Sequence, residues 1–169
     1  MPTCNKSRHA VTKVLTENGA VSLGLLAVNL PFMVRNLQTL IRLEGDAIRG
    51  TLELKAGSIG ILFIIARNPG ISQNDIATAT VLNKTAVANI VKPLEAAKLL
   101  LRHRSPRDGR LNVLDLTAKG RLLMKRAESL LDDLHQRAFA HVSQTDRQTF
   151  FRVCTRVIAN LDDTVKFVE

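Results

Sequence analysis

The chain has 169 residues, enough for one domain with a sizeable core, and 46% of them are hydrophobic. With six Phe and no Trp or Tyr, that core has to be aliphatic, and two cysteines at opposite ends of the chain exclude a disulfide scaffold. Twenty-four basic against fifteen acidic residues leave a net charge of +9, which calls for a polyanionic partner, nucleic acid ahead of an anionic membrane surface.

Met1–Thr12 is polar and basic and reads as a tail. Ala20–Val34 is mostly apolar, but Ser22, Asn29 and Pro31 interrupt it, so it is too short and broken to cross a membrane. Glu17 follows the basic start and no small-residue cleavage site comes after it, which disfavours a signal peptide. The expected location is therefore cytoplasmic, with no membrane partner. Residues 1–29 form a tail or extension. Within it Val14–Val28 is left without an assigned element, since Gly19 and Gly24 weaken any helix there.

Leu30 opens a helix with Pro31 in its first turn. Leu30, Met33, Val34, Leu37, Leu40 and Ile41 make one apolar stripe, which Gly45 and Gly50 are expected to end. Ala56–Ala66 is apolar nearly all round and reads as a buried helix closed by Asn68-Pro69-Gly70. Ser72, with Asp75 three residues on, resembles a capping box for a short helix reaching about Ala79. A turn over Thr80–Asn83 leads into a second helix with Val87, Ile90, Val91 and Leu94 on its apolar face. Pro93 is expected to bend that helix rather than end it.

The period then changes. Leu99–Arg104 and Leu111–Leu116 read as strands around the turn cluster Ser105-Pro106-Arg107-Asp108-Gly109. Thr117 starts a long helix with the stripe Leu123, Ala127, Leu130, Leu131 and Leu134. After a break near His141–Ser143, a last helix carries Phe150, Val153, Cys154, Val157 and Leu161, with Cys154 expected in the core. The fold class is mainly α (α+β). Two short helices joined by a tight turn, followed by a basic hairpin, make a winged helix-turn-helix.

Charge supports this reading. Lys84–Arg110 holds seven basic residues and two acidic ones. With its apolar face inward, the second short helix presents Lys84, Thr85, Ala88, Asn89 and Lys92. Asn bonds bidentately to adenine, Lys reaches guanine or phosphate, and Thr85 and Ala86 are short enough to approach bases. Arg102, Arg104, Arg107 and Arg110 surround the hairpin tip, where arginines enter a minor groove or clamp phosphates. Asp108 repels DNA itself but is placed to orient Arg110. The free N–H groups at Ser72, Gln73 and Asn74 suit a phosphate.

Three runs carry a family resemblance: Gly70-Ile71-Ser72-Gln73…Ile76-Ala77, then Asn83-Lys84-Thr85-Ala86-Val87…Ile90-Val91…Leu94-Glu95, then Asp108-Gly109-Arg110…Leu116-Thr117-Ala118-Lys119-Gly120. Residues 54–120 resemble the winged helix-turn-helix DNA-binding domain of the MarR family of transcriptional regulators. The resemblance implies dimerisation helices over residues 30–50 and 140–163, with 117–139 as the connecting helix. It implies a homodimer on double-stranded DNA at a pseudo-palindromic operator, a repressor released by a small-molecule effector. It also implies a pocket between the dimerisation helices and the DNA-binding core, for which Phe32, Asn36, Leu40 and Phe63 are the candidates. Lys98 departs from the pattern, standing where the family often has Gly after the recognition helix, and Gly109 replaces a commonly basic wing residue.

Two other readings share this fold. One is a redox- or zinc-responsive regulator, with His103, His135 and His141 as candidate ligands; lacking a ligand cluster, the sequence leads us to expect neither metal nor cofactor. The other is a winged-helix protein-interaction module, against which the basic wing argues. A Gly-rich phosphate loop, a nucleophile elbow and a paired acid/base constellation are all missing from the sequence, so an enzyme is not expected.

Overall fold

The computed structural model describes residues 13–106, 108–162, 165 and 167. The tail expected over residues 1–12, Cys4 included, lies outside them, as does Arg107. The chain divides into two compact units, residues 1–45 and 46–169. Among the described residues no helix is long and apolar enough to cross a membrane.

In the first unit, the stretch left unassigned from sequence is a hairpin followed by a turn of 3-10 helix. Strand β1 (Lys13–Thr16) pairs antiparallel with β2 (Gly19–Ser22) in the register Val14↔Val21 and Leu15↔Ala20. Gly19, at φ 122°, makes the tight reversal that a side chain would oppose. Gly24–Val28 forms the 3-10 turn. Asn29 then caps α1 (Leu30–Leu52), its Oδ1 accepting the Phe32 amide at 2.9 Å. The stripe from Leu30 to Ile41 is present on this helix, and its six side chains are 44–62% exposed.

Helix α1 does not stop at Gly45 or Gly50, contrary to the sequence-based expectation. Each glycine costs about 1 kcal/mol in a helix interior. Ile48, past Gly45, and Leu52, past Gly50, are 7% and 5% exposed, and burying such side chains contributes about 2 kcal/mol apiece. Tertiary burial outweighs the local signal.

The second unit surrounds one aliphatic core. Helix α2 (Ser58–Arg67) supplies Ile61, Leu62 and Ile65, and α3 (Gln73–Thr80) supplies Ile76 and Ala77. Val87, Val91 and Leu94 come from α4 (Lys84–Ala96), and Met124 and Ala127 from α5 (Ala118–Ala138). Strands β4 (Leu100–Arg104) and β5 (Asn112–Leu116) close it with Leu100, Leu114 and Leu116. A two-residue strand, β3 (Ile71–Ser72), pairs with the free edge of β5, giving the order β3-β5-β4 with both pairings antiparallel. Two residues are too short to show a period, so this strand is invisible in the sequence.

Helix α6 (Gln144–Leu161) begins at Ser143, whose Oγ accepts the Asp146 amide at 3.1 Å. It buries no residue fully: Phe150, Val153 and Leu161 are 40%, 50% and 77% exposed. Cys154 is half-buried on this helix rather than in the core, because the described residues leave the stripe that carries it uncovered. Phe139, Phe150 and Phe151 cluster at 5.4–5.8 Å between ring centroids, joining the end of α5 to α6.

Candidate nucleic-acid interface

The two short helices are fixed by their caps. Ser72 Oγ accepts the Asp75 amide at 3.2 Å and donates to Asp75 Oδ2 at 2.7 Å, so the acid steadies the capping hydroxyl instead of reaching back to the Ser72 amide. Helix α3 ends at Val81, which takes left-handed backbone (φ 55°), while the Leu82 amide returns to the Ala77 carbonyl at 3.1 Å. Asn83 starts α4 at once, its Oδ1 accepting the Ala86 amide at 2.8 Å. The turn is therefore as short as the sequence requires, with its free groups satisfied on both sides.

On α4 the inward residues Val87 and Val91 are fully buried and Leu94 nearly so. Lys84, Thr85, Ala88, Asn89 and Lys92 all lie on the exposed face, whereas Ala86 is half-buried. The helix runs on through Pro93 to Ala96. It closes at Lys98, whose backbone is left-handed (φ 57°), and the Leu99 amide donates to the Leu94 carbonyl at 3.0 Å. Lys98 stands where the left-handed turn favours glycine, so this departure from the family pattern leaves a side chain in backbone that opposes it.

The hairpin tip is a small hydrogen-bonded frame. The Ser105 amide donates to Leu111 O and the Leu111 amide to Asp108 O, both at 2.9 Å. Asp108 Oδ1 accepts the Arg110 amide at 3.0 Å and Arg110 Nε at 3.2 Å, so the pairing expected from sequence is formed. These donors, the amide first and then the guanidinium, hold the Asp108 carboxyl below its ordinary pKa. The Arg110 side chain remains 91% exposed. Arg104 donates to the Arg110 carbonyl at 3.0 Å, and Arg102 pairs with Glu95 of α4 at 3.3 Å.

The start of α3 and the wing meet at a small open pocket of about 190 Å³, lined by Ser72, Gln73 and Asn74 on one side and Arg102, Arg110, Leu111 and Asn112 on the other. Gln73 Nε2 is shielded from solvent and has no hydrogen-bond partner among the described residues. Two arginines, a helix N-terminus and a spare amide donor suit an anion. Asn112 escaped sequence reasoning because only the strand register brings it beside Ser72.

At the root of the wing, His103 Nε2 lies 2.6 Å from Asp115 Oδ2 and Nδ1 lies 3.0 Å from the Arg104 carbonyl. The carboxylate bond, then the carbonyl, raise the imidazole above its ordinary pKa. Sequence reading weighed His103 only as a metal ligand; strand alternation was the signal that places it on one face with Asp115. Among the described residues no group of three or more His, Cys, Asp and Glu is placed to hold a metal ion.

The pocket candidates are distributed over both units. Phe32, Asn36 and Leu40 follow one another at four-residue steps on α1, Phe32 half-buried and the other two exposed. Phe63 lines a cavity of about 570 Å³ between α2 and α5, together with Arg67, Glu128, Leu131, Asp132 and His135.

The profile of the MarR family matches residues 53–111. Over 142 residues, 83% of this chain and 86% of the relative, the sequence is 30% identical to a putative transcriptional regulatory protein for the hcr operon of Thauera aromatica. The chain belongs to the MarR family. Two solved MarR-type folds superpose well on it. The PcaV transcriptional regulator from Streptomyces coelicolor, in complex with its natural ligand, has a TM-score of 0.71 at 24% identity, over 81% of this chain and 96% of that one. The transcriptional repressor CouR, bound to a 23-mer DNA duplex, reaches 0.73 at 24%, over 82% and 98%. As a member of the MarR family the protein is a DNA-binding transcriptional regulator.

Proposed function

We propose that the protein is a homodimeric repressor that binds a pseudo-palindromic operator and is released by a small molecule. The observation that carries this reading is the anion-suited pocket shared by the start of α3 and the wing, beside the exposed polar face of α4. In this arrangement α4 enters a major groove. Asn89 reads adenine, Lys84 and Lys92 reach bases or phosphate, and Thr85 with the half-buried Ala86 allows close approach. Ser72 and Gln73 hold a backbone phosphate at the start of α3. Arg104, Arg107 and Arg110 serve the adjacent minor groove and its phosphates, with Asp108 fixing the Arg110 guanidinium.

The exposed apolar stripes of α1 and α6 support self-association, since a soluble chain seldom leaves such surfaces open. The cavity beside Phe63 supports a small, partly apolar effector, with Arg67 as the cation for an acidic group. The solved PcaV structure with its natural ligand and the CouR structure with a 23-mer DNA duplex support both kinds of partner for this reading.

Fluorescence anisotropy against the DNA upstream of the protein's own gene, with a scrambled duplex as control, tests the reading. Selective, salt-dependent binding is expected. Weak binding equal on both duplexes would leave a sequence-blind electrostatic binder, and no binding at low salt would favour the protein-interaction module.

A further inference from the structure

The wing contains a single imidazole, and both of its nitrogens face acceptors. His103 Nε2 meets Asp115 Oδ2 at 2.6 Å, and Nδ1 meets the Arg104 carbonyl at 3.0 Å. A neutral imidazole has one N–H and one lone pair, so it satisfies only one of these contacts and turns a lone pair toward an oxygen at the other. The imidazolium, with two N–H donors, satisfies both. Asp115 is occupied on its far side as well: its Oδ1 accepts the Gly70 amide at 3.0 Å, an N–H that also reaches the Leu114 carbonyl at 3.2 Å. The chain thus runs from β4, through a carboxylate on β5, to the turn that launches α3.

We propose that His103 is a proton-dependent positioning residue that, when charged, ties the wing to the start of the helix-turn-helix. It rests on the DNA-binding reading above and adds a control to it: affinity falls as pH rises and His103 loses its proton. Among the described residues no other charged side chain is hydrogen-bonded to His103 or Asp115. Arg102 and Arg104 alternate to the other face of β4, and Arg102 is held by Glu95. From α5, Arg121, Lys125 and Glu128 line the cavity that Asp115 borders, and Arg121 donates to the Leu116 carbonyl at 2.8 Å. The Gly70 turn contributes only its backbone N–H.

The test follows operator affinity from about pH 6 to pH 8.5 at fixed salt, in the wild type, His103→Gln and Asp115→Asn, alongside an NMR titration of the His103 ring and the Gly70 amide. One linked proton gives at most tenfold per pH unit. The wild type is expected to weaken about three- to tenfold across the range, with the variants flat and close to the high-pH wild type. The His103 ring should titrate above an ordinary histidine, the Gly70 amide should follow it, and Asp115→Asn should abolish both effects. A wild-type profile parallel to that of His103→Gln, or a ring titrating at or below the ordinary value, overturns the proposal. If no duplex binds at any pH, the DNA-binding reading fails instead, and the ring and amide titrations alone decide whether the tie exists.

Discussion

Gly120 approaches the Leu99 carbonyl so closely that a Cβ on it would overlap the oxygen and stand 3.0 Å from the carbon. The same carbonyl accepts the Thr117 amide at 3.1 Å, while Thr117 Oγ1 donates to Lys98 O at 2.7 Å and accepts the Gly120 amide at 3.0 Å. The Thr-x-x-Gly run is thus a clasp between the end of α4 and the start of α5. Gly120→Ala drives a methyl group into backbone, which has no rotamer to yield. A loss of about 3 kcal/mol is expected in denaturant unfolding. A neutral result would show that α5 can slide away from Leu99.

Lys98→Gly has the opposite sign. A side chain in left-handed backbone costs about 1–2 kcal/mol, and glycine returns about half of that through its unfolded-state entropy. With Lys98 at φ 57°, a net gain of about 0.5–1 kcal/mol is expected in thermal melts.

Arg110→Ala and Asn89→Ala separate two kinds of contact. With its side chain 91% exposed, Arg110 has little structural role to lose. Its removal should weaken binding to all duplexes and lower the salt slope by about one. Asn89→Ala should cost about 1–3 kcal/mol on the operator and relax preference at one base pair. An equal effect of Asn89→Ala on operator and scrambled DNA would misplace the reading face.

Two titrating groups bracket the wing with opposite signs. The pKa of Asp108 is depressed, so its contribution is present above the ordinary carboxyl value and is lost as pH falls through the depressed one. The pKa of His103 is raised, so its contribution is present below the ordinary imidazole value and is lost as pH rises through the raised one. The Arg110 amide, bonded to Asp108, should therefore shift on acidification, and Asp108→Asn should remove that shift. A tip amide indifferent to acid would contradict the frame.

Much of this was legible before any coordinates. Ser72, Asn83 and Thr117 announce their caps because short polar side chains satisfy amides only three residues away, a local rule. The buried face of α4 follows from periodicity alone. What escaped depends on residues far apart. Helix α1 passes through Gly45 and Gly50 because Ile48 and Leu52 find a core built by later segments. Strand β3 exists only because β5 offers it an edge, and that pairing sets Asn112 and Arg110 opposite the start of α3. Cys154 looked like core because its stripe is apolar, but a stripe announces burial without saying against what.

The pairing of Ile71 with Leu114 carries a consequence for synthesis. Helices α3 and α4 are held by local hydrogen bonds and caps, but the sheet that braces them needs a partner made more than forty residues later. Until β5 has emerged, the nascent helix-turn-helix has its fourth helix but neither wing nor brace. The braced DNA-binding unit is therefore expected to be completed late, once β5 has emerged and paired.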